Sequence, residues 1–227
     1  MDNKEIYRKL GISTLSAMQK ATASAFERTN HDIVVLSPTG TGKTVVLASL
    51  VSQLKNENVL IVAHRRELIE QIKATIKRLN MEDRNITVES IQTISRHLTS
   101  NGVATPPAGG QGGFSLVVID EAHHAVAKTY SQLWDVWPEA RFLGLTATPY
   151  RLSGEGFTDL FDVLVDSWTM KRFIAEGWLS AFDYYSIRPD SDDQKLIDNL
   201  KKRGADGDFQ MKELHDTLDV TPCIERL

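Results

Sequence analysis

The sequence predicts an α/β domain in which a mostly parallel central sheet is covered by helices on both faces. Three observations carry this expectation. Helical and strand-like segments alternate along most of the chain. The strand-like runs are apolar at nearly every position, the pattern of strands buried on two faces. Polar residues of distinct chemistry collect where those runs end, which is where α/β folds place their ligands.

The elements follow in order. Residues 14–26 place Leu15, Met18, Thr22 and Phe26 at helical spacing. "DIVVL" (32–36) is a short β-branched run bounded by turn residues, and "VLIVA" (59–63) is another. Between them, "SPTGTGKT" (37–44) leads into the helical "VVLASLVSQL". "RRELIEQIKATIKRL" (65–79) carries Leu68, Ile69, Ile72, Ile76 and Leu79 on one face with charge elsewhere, an amphipathic helix. "ITVES" (86–90), "LVVID" (116–120) and "FLGLT" (142–146) complete five strand candidates. "NGVATPPAGGQGGF" (101–114) reads as a loop from its Gly and Pro content. Beyond about residue 180 the pattern loosens: 182–193 reads as a strand and turn, and 194–204 as a short helix with Gly204 just past its end.

Composition sets bounds on function. With 227 residues the chain can bury one good core, with room for a small appendage. It is 41% hydrophobic and 25% charged, ordinary for a globular protein. No apolar run is long enough to cross a bilayer, and "MDNKEIYRKL" has no apolar signal core, so the cytoplasm is the expected location. The single cysteine, Cys223, excludes an internal disulfide framework and a multi-cysteine zinc site. A net charge of −4 means that any nucleic-acid contact must come from a local basic track.

Two motifs carry the chemistry. "SPTGTGKT" meets the phosphate-loop pattern except that Ser37 replaces its first glycine. Gly40 and Gly42 let backbone N–H groups turn inward around phosphate oxygens, and the helix N-terminus adds partial positive charge. Thr39, Gly40, Thr41, Gly42, Lys43 and Thr44 are the expected nucleotide-binding residues, with Lys43 reaching the β- and γ-phosphates and Thr44 holding Mg²⁺. The second motif, "VVIDEAHHAV" (117–126), turns from apolar to acidic within two positions. Asp120, at a strand's C-terminal end, can hold Mg²⁺ through water. Glu121 can orient or deprotonate the attacking water. A zinc cage is disfavoured, because adjacent His123 and His124 project differently and no cysteine assists. "GLTATPYR" (144–151) places Thr146 and Thr148 at another strand end, with Pro149 breaking the backbone.

Taken together, "SPTGTGKT", "AHRREL", "SIQT", "DEAH" and "TATP" resemble, in order and approximate spacing, motifs I, Ia, Ic, II and III of superfamily 2 helicases and translocases. The wording is most similar to the DNA-repair helicase and restriction-translocase branch and less similar to DEAD-box RNA helicases. The resemblance spans about residues 10–180 and implies a RecA-like P-loop NTPase domain over 1–180 that binds and hydrolyses ATP with Mg²⁺. It implies that Lys43, Asp120 and Glu121 are catalytic and that Thr44 and Asp120 face the metal. It further implies that His123, Thr146 and Thr148 couple the nucleotide site to motion, and that Arg65, opening the helix after "VLIVAH", and Thr93, opening the one after "ITVES", meet the backbone of a bound nucleic-acid strand. Gln19, in "LSAMQKA", is the candidate adenine-reading glutamine. His124 receives no role and is expected to face solvent.

The resemblance also implies a second RecA-like domain, in cis or in trans, bearing arginine fingers of the Q-x-x-G-R-x-x-R type. No such string occurs in the sequence. Residues 181–227 therefore read as a linker and the start of that second domain, and the chain as an N-terminal fragment or one half of a split motor. An arginine finger contributes about 10³ to 10⁵ in rate, so the chain alone is expected to turn over very slowly. The leading expectation is the ATP-binding half of a helicase or translocase acting on DNA rather than RNA. The alternatives are an RNA helicase and a nucleotide-gated interaction module without motor activity.

Overall fold

The structure, a computed structural model, describes residues 3–54, 56–82, 84–101, 113–125, 127–148, 159–183 and 199. The chain divides into two compact units, Met1–Leu179 and Ser180–Leu227. Residues 184–193 of the strand and turn expected over 182–193, almost all of the helix expected over 194–204, the loop residues 102–112 and Pro149 lie outside the described residues.

In the first unit the elements run α1 (Asn3–Lys9), α2 (Ala17–Arg28), β1 (Ile33–Leu36), α3 (Lys43–Gln53), β2 (Val59–Ala63), α4 (Arg66–Arg78) and β3 (Ile86–Ser90). Then come α5 (Ile91–Asn101), β4 (Leu116–Asp120), a 3₁₀ turn (Ala122–His124), α6 (Lys128–Val136), β5 (Arg141–Thr146), β6 (Val163–Asp166) and α7 (Met170–Ala175). The strands form one sheet in the order β3-β2-β4-β5-β1-β6, with every pairing parallel.

The alternation of side chains explains the unbroken apolar runs. Ile33 and Val35 of β1, Val59 and Ile61 of β2, Leu116 and Val118 of β4, and Leu143 and Leu145 of β5 join one core. Their neighbours Val34, Leu60, Val62, Val117, Ile119 and Phe142 join another on the opposite face. The first core is closed by α3 and α4 through Leu47, Leu50, Ile69 and Ile72. The second is closed by α5 and α6 through Ile91, Ile94, Tyr130 and Leu133.

The choice of faces follows from handedness. From β1 the chain steps through α3 to β2 and through α4 to β3, toward one sheet edge. It then reverses, through α5 to β4 and α6 to β5. Parallel crossovers are right-handed, so reversing direction moves the helices to the other face. Because β1 starts beside β5, the reversal leaves the C-terminal ends of β1, β5 and β4 adjacent, a topological switch point of the kind that holds ligands in open α/β sheets.

The opposite end is stapled by polar groups. Asp32, just before β1, accepts hydrogen bonds from the Phe142 N–H (2.8 Å) and from Trp134 Nε1 (2.8 Å) on α6. Burial raises the Asp32 carboxyl above its ordinary pKa, and the two hydrogen bonds act against that rise. Arg141 donates to the Phe26 carbonyl (2.8 Å) and the His31 carbonyl (3.1 Å), with its guanidinium 3.7 Å from the Phe26 ring centre.

β6 is a strand beyond the five expected. Its "VLVD" buries Val165 alone and leaves Leu164 56% exposed, so it lacks the two-faced apolar run that marks β1, β2, β4 and β5. It pairs with β1 at the sheet edge, where one covered face suffices.

Candidate nucleotide site

The phosphate loop is tied to the sheet at its first residue: Ser37 N–H donates to the Thr146 carbonyl at 2.9 Å, joining the ends of β1 and β5. Ser37, the residue in place of a glycine, is fully buried. Its hydroxyl lies 2.7 Å from that of Thr41, which donates to the Pro38 carbonyl at 2.7 Å. One hydroxyl proton per residue then makes Ser37 the donor to Thr41. Serine thus supplies a cross-loop hydrogen bond that glycine could not.

Gly40 and Gly42 have φ of +82° and +89°, and Gly42 is the N-cap of α3. The positive φ of Gly42 favours glycine, and a Cβ there would come to 2.4 Å from Gln19 Nε2 and displace that amide from the loop. Lys43 Nζ folds back onto the carbonyls of Ser37 (3.1 Å) and Pro38 (3.4 Å). Thr39, Gly40 and Thr44 are exposed, whereas Thr41 is buried.

Gln19 explains how α2 meets this loop. Ser16 and Gln19 form a reciprocal capping box: Ser16 N–H donates to Gln19 Oε1 (2.8 Å), and Gln19 N–H to Ser16 Oγ (3.4 Å). Such a cap contributes about 1 kcal/mol to helix stability. Gln19 Nε2 then donates to the Gly42 carbonyl at 3.4 Å. The side chain is 6% exposed. The S-x-x-Q spacing announces this box in the sequence.

The acidic pair stands at the end of β4, with β5 between it and β1. Two strand spacings are about 10 Å, a distance that a lysine side chain and two carboxylates can close from either side. Lys43 and both acids do feel one another. Burial lowers the lysine pKa from its ordinary value, and Glu121 and then Asp120 act to raise it. Asp120 is raised, first by burial and then by the Glu121 charge; the Glu121 N–H (3.2 Å), Lys43 and His123 pull the other way. Glu121 adopts φ +55°, ψ +54°, a left-handed conformation that costs a non-glycine residue about 1–2 kcal/mol. That turn ends the strand abruptly and starts the 3₁₀ turn behind it.

Gly144 makes room for this turn. A Cβ there would lie 2.8 Å from Ala122 Cβ and 2.8 Å from the Phe161 ring, so glycine on β5 permits the close approach of Ala122.

His123 bonds Thr146: its Nδ1 is 2.9 Å from Thr146 Oγ1 and 3.4 Å from Glu121 Oε2. Thr146 Oγ1 also accepts from Thr148 N–H (3.1 Å) and donates to the Thr148 carbonyl (3.2 Å). With that hydroxyl proton used, and a carboxylate nearby, the hydrogen-bond pattern assigns the proton to His123 Nδ1. Thr146 is fully buried and Thr148 exposed.

Two expectations need correction. His124 does not face solvent: it is half-buried, its ring 4.1 Å from that of His123 and 4.9 Å from that of His64. The tight 3₁₀ turn sets the adjacent rings together instead of splaying them. Thr93 does not open its helix: α5 begins at Ile91, and Thr93 is its third residue. There its N–H donates to Ser90 Oγ (3.1 Å) and its hydroxyl meets Ser90 Oγ (2.9 Å) and Arg96 (3.4 Å). Arg65 is the exposed N-cap of α4 and makes no side-chain cap bond. Arg65 and Thr93 follow the neighbouring strands β2 and β3 at the same end of the sheet as the loop and the acids. The residues that sequence reasoning passed over are Ser16, His64, Gln92 and Gly144, and of these only Ser16 carries a recognisable local signal.

Comparison with known proteins gives the family and the fold. The family described as "Type III restriction enzyme, res subunit" matches residues 13–151. A 51.5 kDa protein of Lactococcus phage (isolate 7-9) is 30% identical over 190 residues, covering 83% of this chain and 38% of that protein. The DNA 3'-5' translocase XPB2 of Sulfurisphaera tokodaii is 29% identical over 196 residues, covering 83% and 44% respectively. The crystal structure of the Pyrococcus furiosus Hef helicase domain superposes with a TM-score of 0.55 at 17% identity, covering 90% of this chain and 52% of that one. The chain thus spans less than half the length of the curated relatives it matches. A family match over more than half of the residues, on an all-parallel sheet of this order, shows that the chain belongs to the type III restriction enzyme res-subunit family, with the first RecA-like domain of a superfamily 2 helicase as its fold.

Proposed function

We propose that the chain is the ATP-binding half of an ATP-dependent helicase or translocase, and that its track is DNA. The observation that supports this best is the convergence of Lys43 with Asp120 and Glu121 across β5, close enough for their charges to act on one another. Lys43 exchanges its two loop carbonyls for β- and γ-phosphate oxygens, while the amides from Thr39 to Thr44 cradle the chain of phosphates. A hydroxyl and a carboxylate, Thr44 and Asp120, are hard oxygen donors suited to Mg²⁺. Two adjacent partly buried carboxylates with a raised Asp120 are stabilised by an added cation, so the donor set fits the metal. Bound there, Mg²⁺ neutralises charge on the phosphate oxygens. Glu121 positions and deprotonates the attacking water. His123 carries the state of Glu121 to Thr146 and so to Thr148. Gln19 steadies the loop and presents its amide near the base. Arg65 and Thr93 hold a strand backbone without reading its sequence.

Residues 181–227 then begin a second RecA-like domain, whose arginine fingers complete the site in cis or in trans. Closing of two such domains around ATP is what moves a strand. A domain spanning 1–180 alone binds nucleotide but does not unwind. The cytoplasm is the compartment proposed.

The test is ATP hydrolysis by the protein joined to its second domain, with single-stranded DNA, duplex DNA and RNA as activators. DNA is expected to stimulate by at least about tenfold, and by up to the ~10³ to 10⁵ that a well-placed finger contributes, and RNA to stimulate less. Stronger stimulation by RNA than by DNA would make it an RNA helicase. Nucleotide binding with no stimulation by any nucleic acid would favour a nucleotide-gated interaction module.

A further inference from the structure

His124 is the residue of the acidic turn for which nucleotide chemistry has no task. Its ring nevertheless sits between two others. The His123 ring lies 4.1 Å away and is tilted by 42°, and the His64 ring lies 4.9 Å away at 29°, close to parallel. The stack continues at both ends. His123 bonds Thr146 at 2.9 Å and lies 3.4 Å from Glu121. His64 directly precedes Arg65, and its Nδ1 is 3.5 Å from Nε2 of Gln92, the residue before Thr93. Each histidine belongs to a segment fixed at a strand end: His64 follows β2 and His123 and His124 follow β4, while Gln92 is in the first turn of α5, after β3.

These contacts make one continuous line along the top of the sheet. It runs from Gln92 on α5, through His64, His124 and His123, to the residue placed to activate water. Rings in van der Waals contact cannot move independently in a packed structure, yet they slide and tilt at small energetic penalty. A stack therefore suits a joint that must shift between two arrangements. A hydrogen-bonded link would break where a stacked one gives way.

We propose that His64 and His124 are positioning residues that couple the strand-facing segment, Arg65 and Gln92–Thr93, to Glu121 through the His123 ring. The proposal rests on the nucleotide reading given above. It assigns a role to a histidine outside the four residues 120–123, and it makes the coupling reciprocal: nucleotide must alter the α5 start, and a bound strand must alter the acidic turn.

The experiment is an NMR titration of the isotopically labelled chain with Mg-ADP, following the amides of Gly40, Gly42, Gln92 and Thr93 and the rings of His64 and His123. In the wild type, signals at the loop, at His123 and at Gln92–Thr93 are expected to shift. In His124→Ala the loop and His123 responses should remain while the response at Gln92–Thr93 is lost, and His124→Phe, which restores a flat ring, should recover it. His64→Ala reads the same joint from its other end and serves if His124→Ala fails to fold. A Gln92–Thr93 response that is absent in the wild type, or unchanged in both alanine variants, overturns the proposal and leaves the stack as packing. A chain in which even Gly40 and Gly42 do not respond overturns the nucleotide reading instead, and the proposal with it.

Discussion

Glu121 holds a left-handed backbone at the mouth of the site, with its neighbour Asp120 desolvated and its own carboxylate against His123. If Glu121 activates water, Glu121→Gln keeps shape and hydrogen-bonding reach but loses the base. Nucleotide affinity should stay within about twofold while hydrolysis falls by at least 10²-fold, the usual range for general-base removal. Unchanged single-turnover hydrolysis would remove Glu121 from the role. Asp120 gives a prediction with a sign. Its folded pKa is raised above the ordinary 3.8 by burial and by Glu121. The folded state therefore binds its proton more tightly than the unfolded state, and stability is lost as pH rises from that ordinary value through the folded one. Asp120→Asn removes the buried charge and keeps an acceptor for the Glu121 N–H. The variant should melt higher than wild type at pH 7, and the advantage should shrink as the pH is lowered through that window. Equal melting temperatures at all pH values would show that the carboxylate is not destabilising in the free protein.

At the scale of elements, the site depends on one close approach, that of the 3₁₀ turn to β5. Gly144→Ala puts a methyl group 2.8 Å from both Ala122 and the Phe161 ring, so the turn or the ring must move. Overpacking of this kind destabilises by about 1–3 kcal/mol. Because Ala122 follows Glu121 directly, hydrolysis should fall more than stability alone accounts for. A variant destabilised but fully active would separate the turn from the chemistry. β1, β2, β4 and β5 were legible because each is buried on both faces and written as an apolar run, and the edge strand β3 from the β-branched "ITV" that opens it. β6 was not: it is only four residues long, ends in Asp166 and leaves Leu164 exposed. Helices α1, α6 and α7 were left unassigned for a related reason: each is at most nine residues long, shorter than a periodicity window needs. The loop, the acids and the Thr146–Thr148 pair were legible since strand ends carried recognisable chemistry. The His64–His124 stack was not, because it joins residues sixty positions apart through ring contacts that no local spacing encodes.

For the molecule as a whole, the reversal of strand order around β1, β5 and β4 does the decisive work. It brings a loop near residue 40 and an acid pair near residue 120 to one end of one sheet, and it places the strand-facing candidates Arg65 and Thr93 along the same edge. Everything proposed for this chain depends on those groups closing on a single nucleotide. The most direct measurement is a calorimetric titration of the chain with Mg-ATP, paired with Lys43→Ala. Lys43 lies at the end of its own loop with its ammonium folded onto that loop's carbonyls, so truncating it should leave the fold intact. Saturable binding by the wild type and a loss of at least about tenfold in the variant, as for one charge-assisted contact to phosphate, is the predicted result. Equal affinities in the two proteins, or no binding by either folded protein, would contradict it.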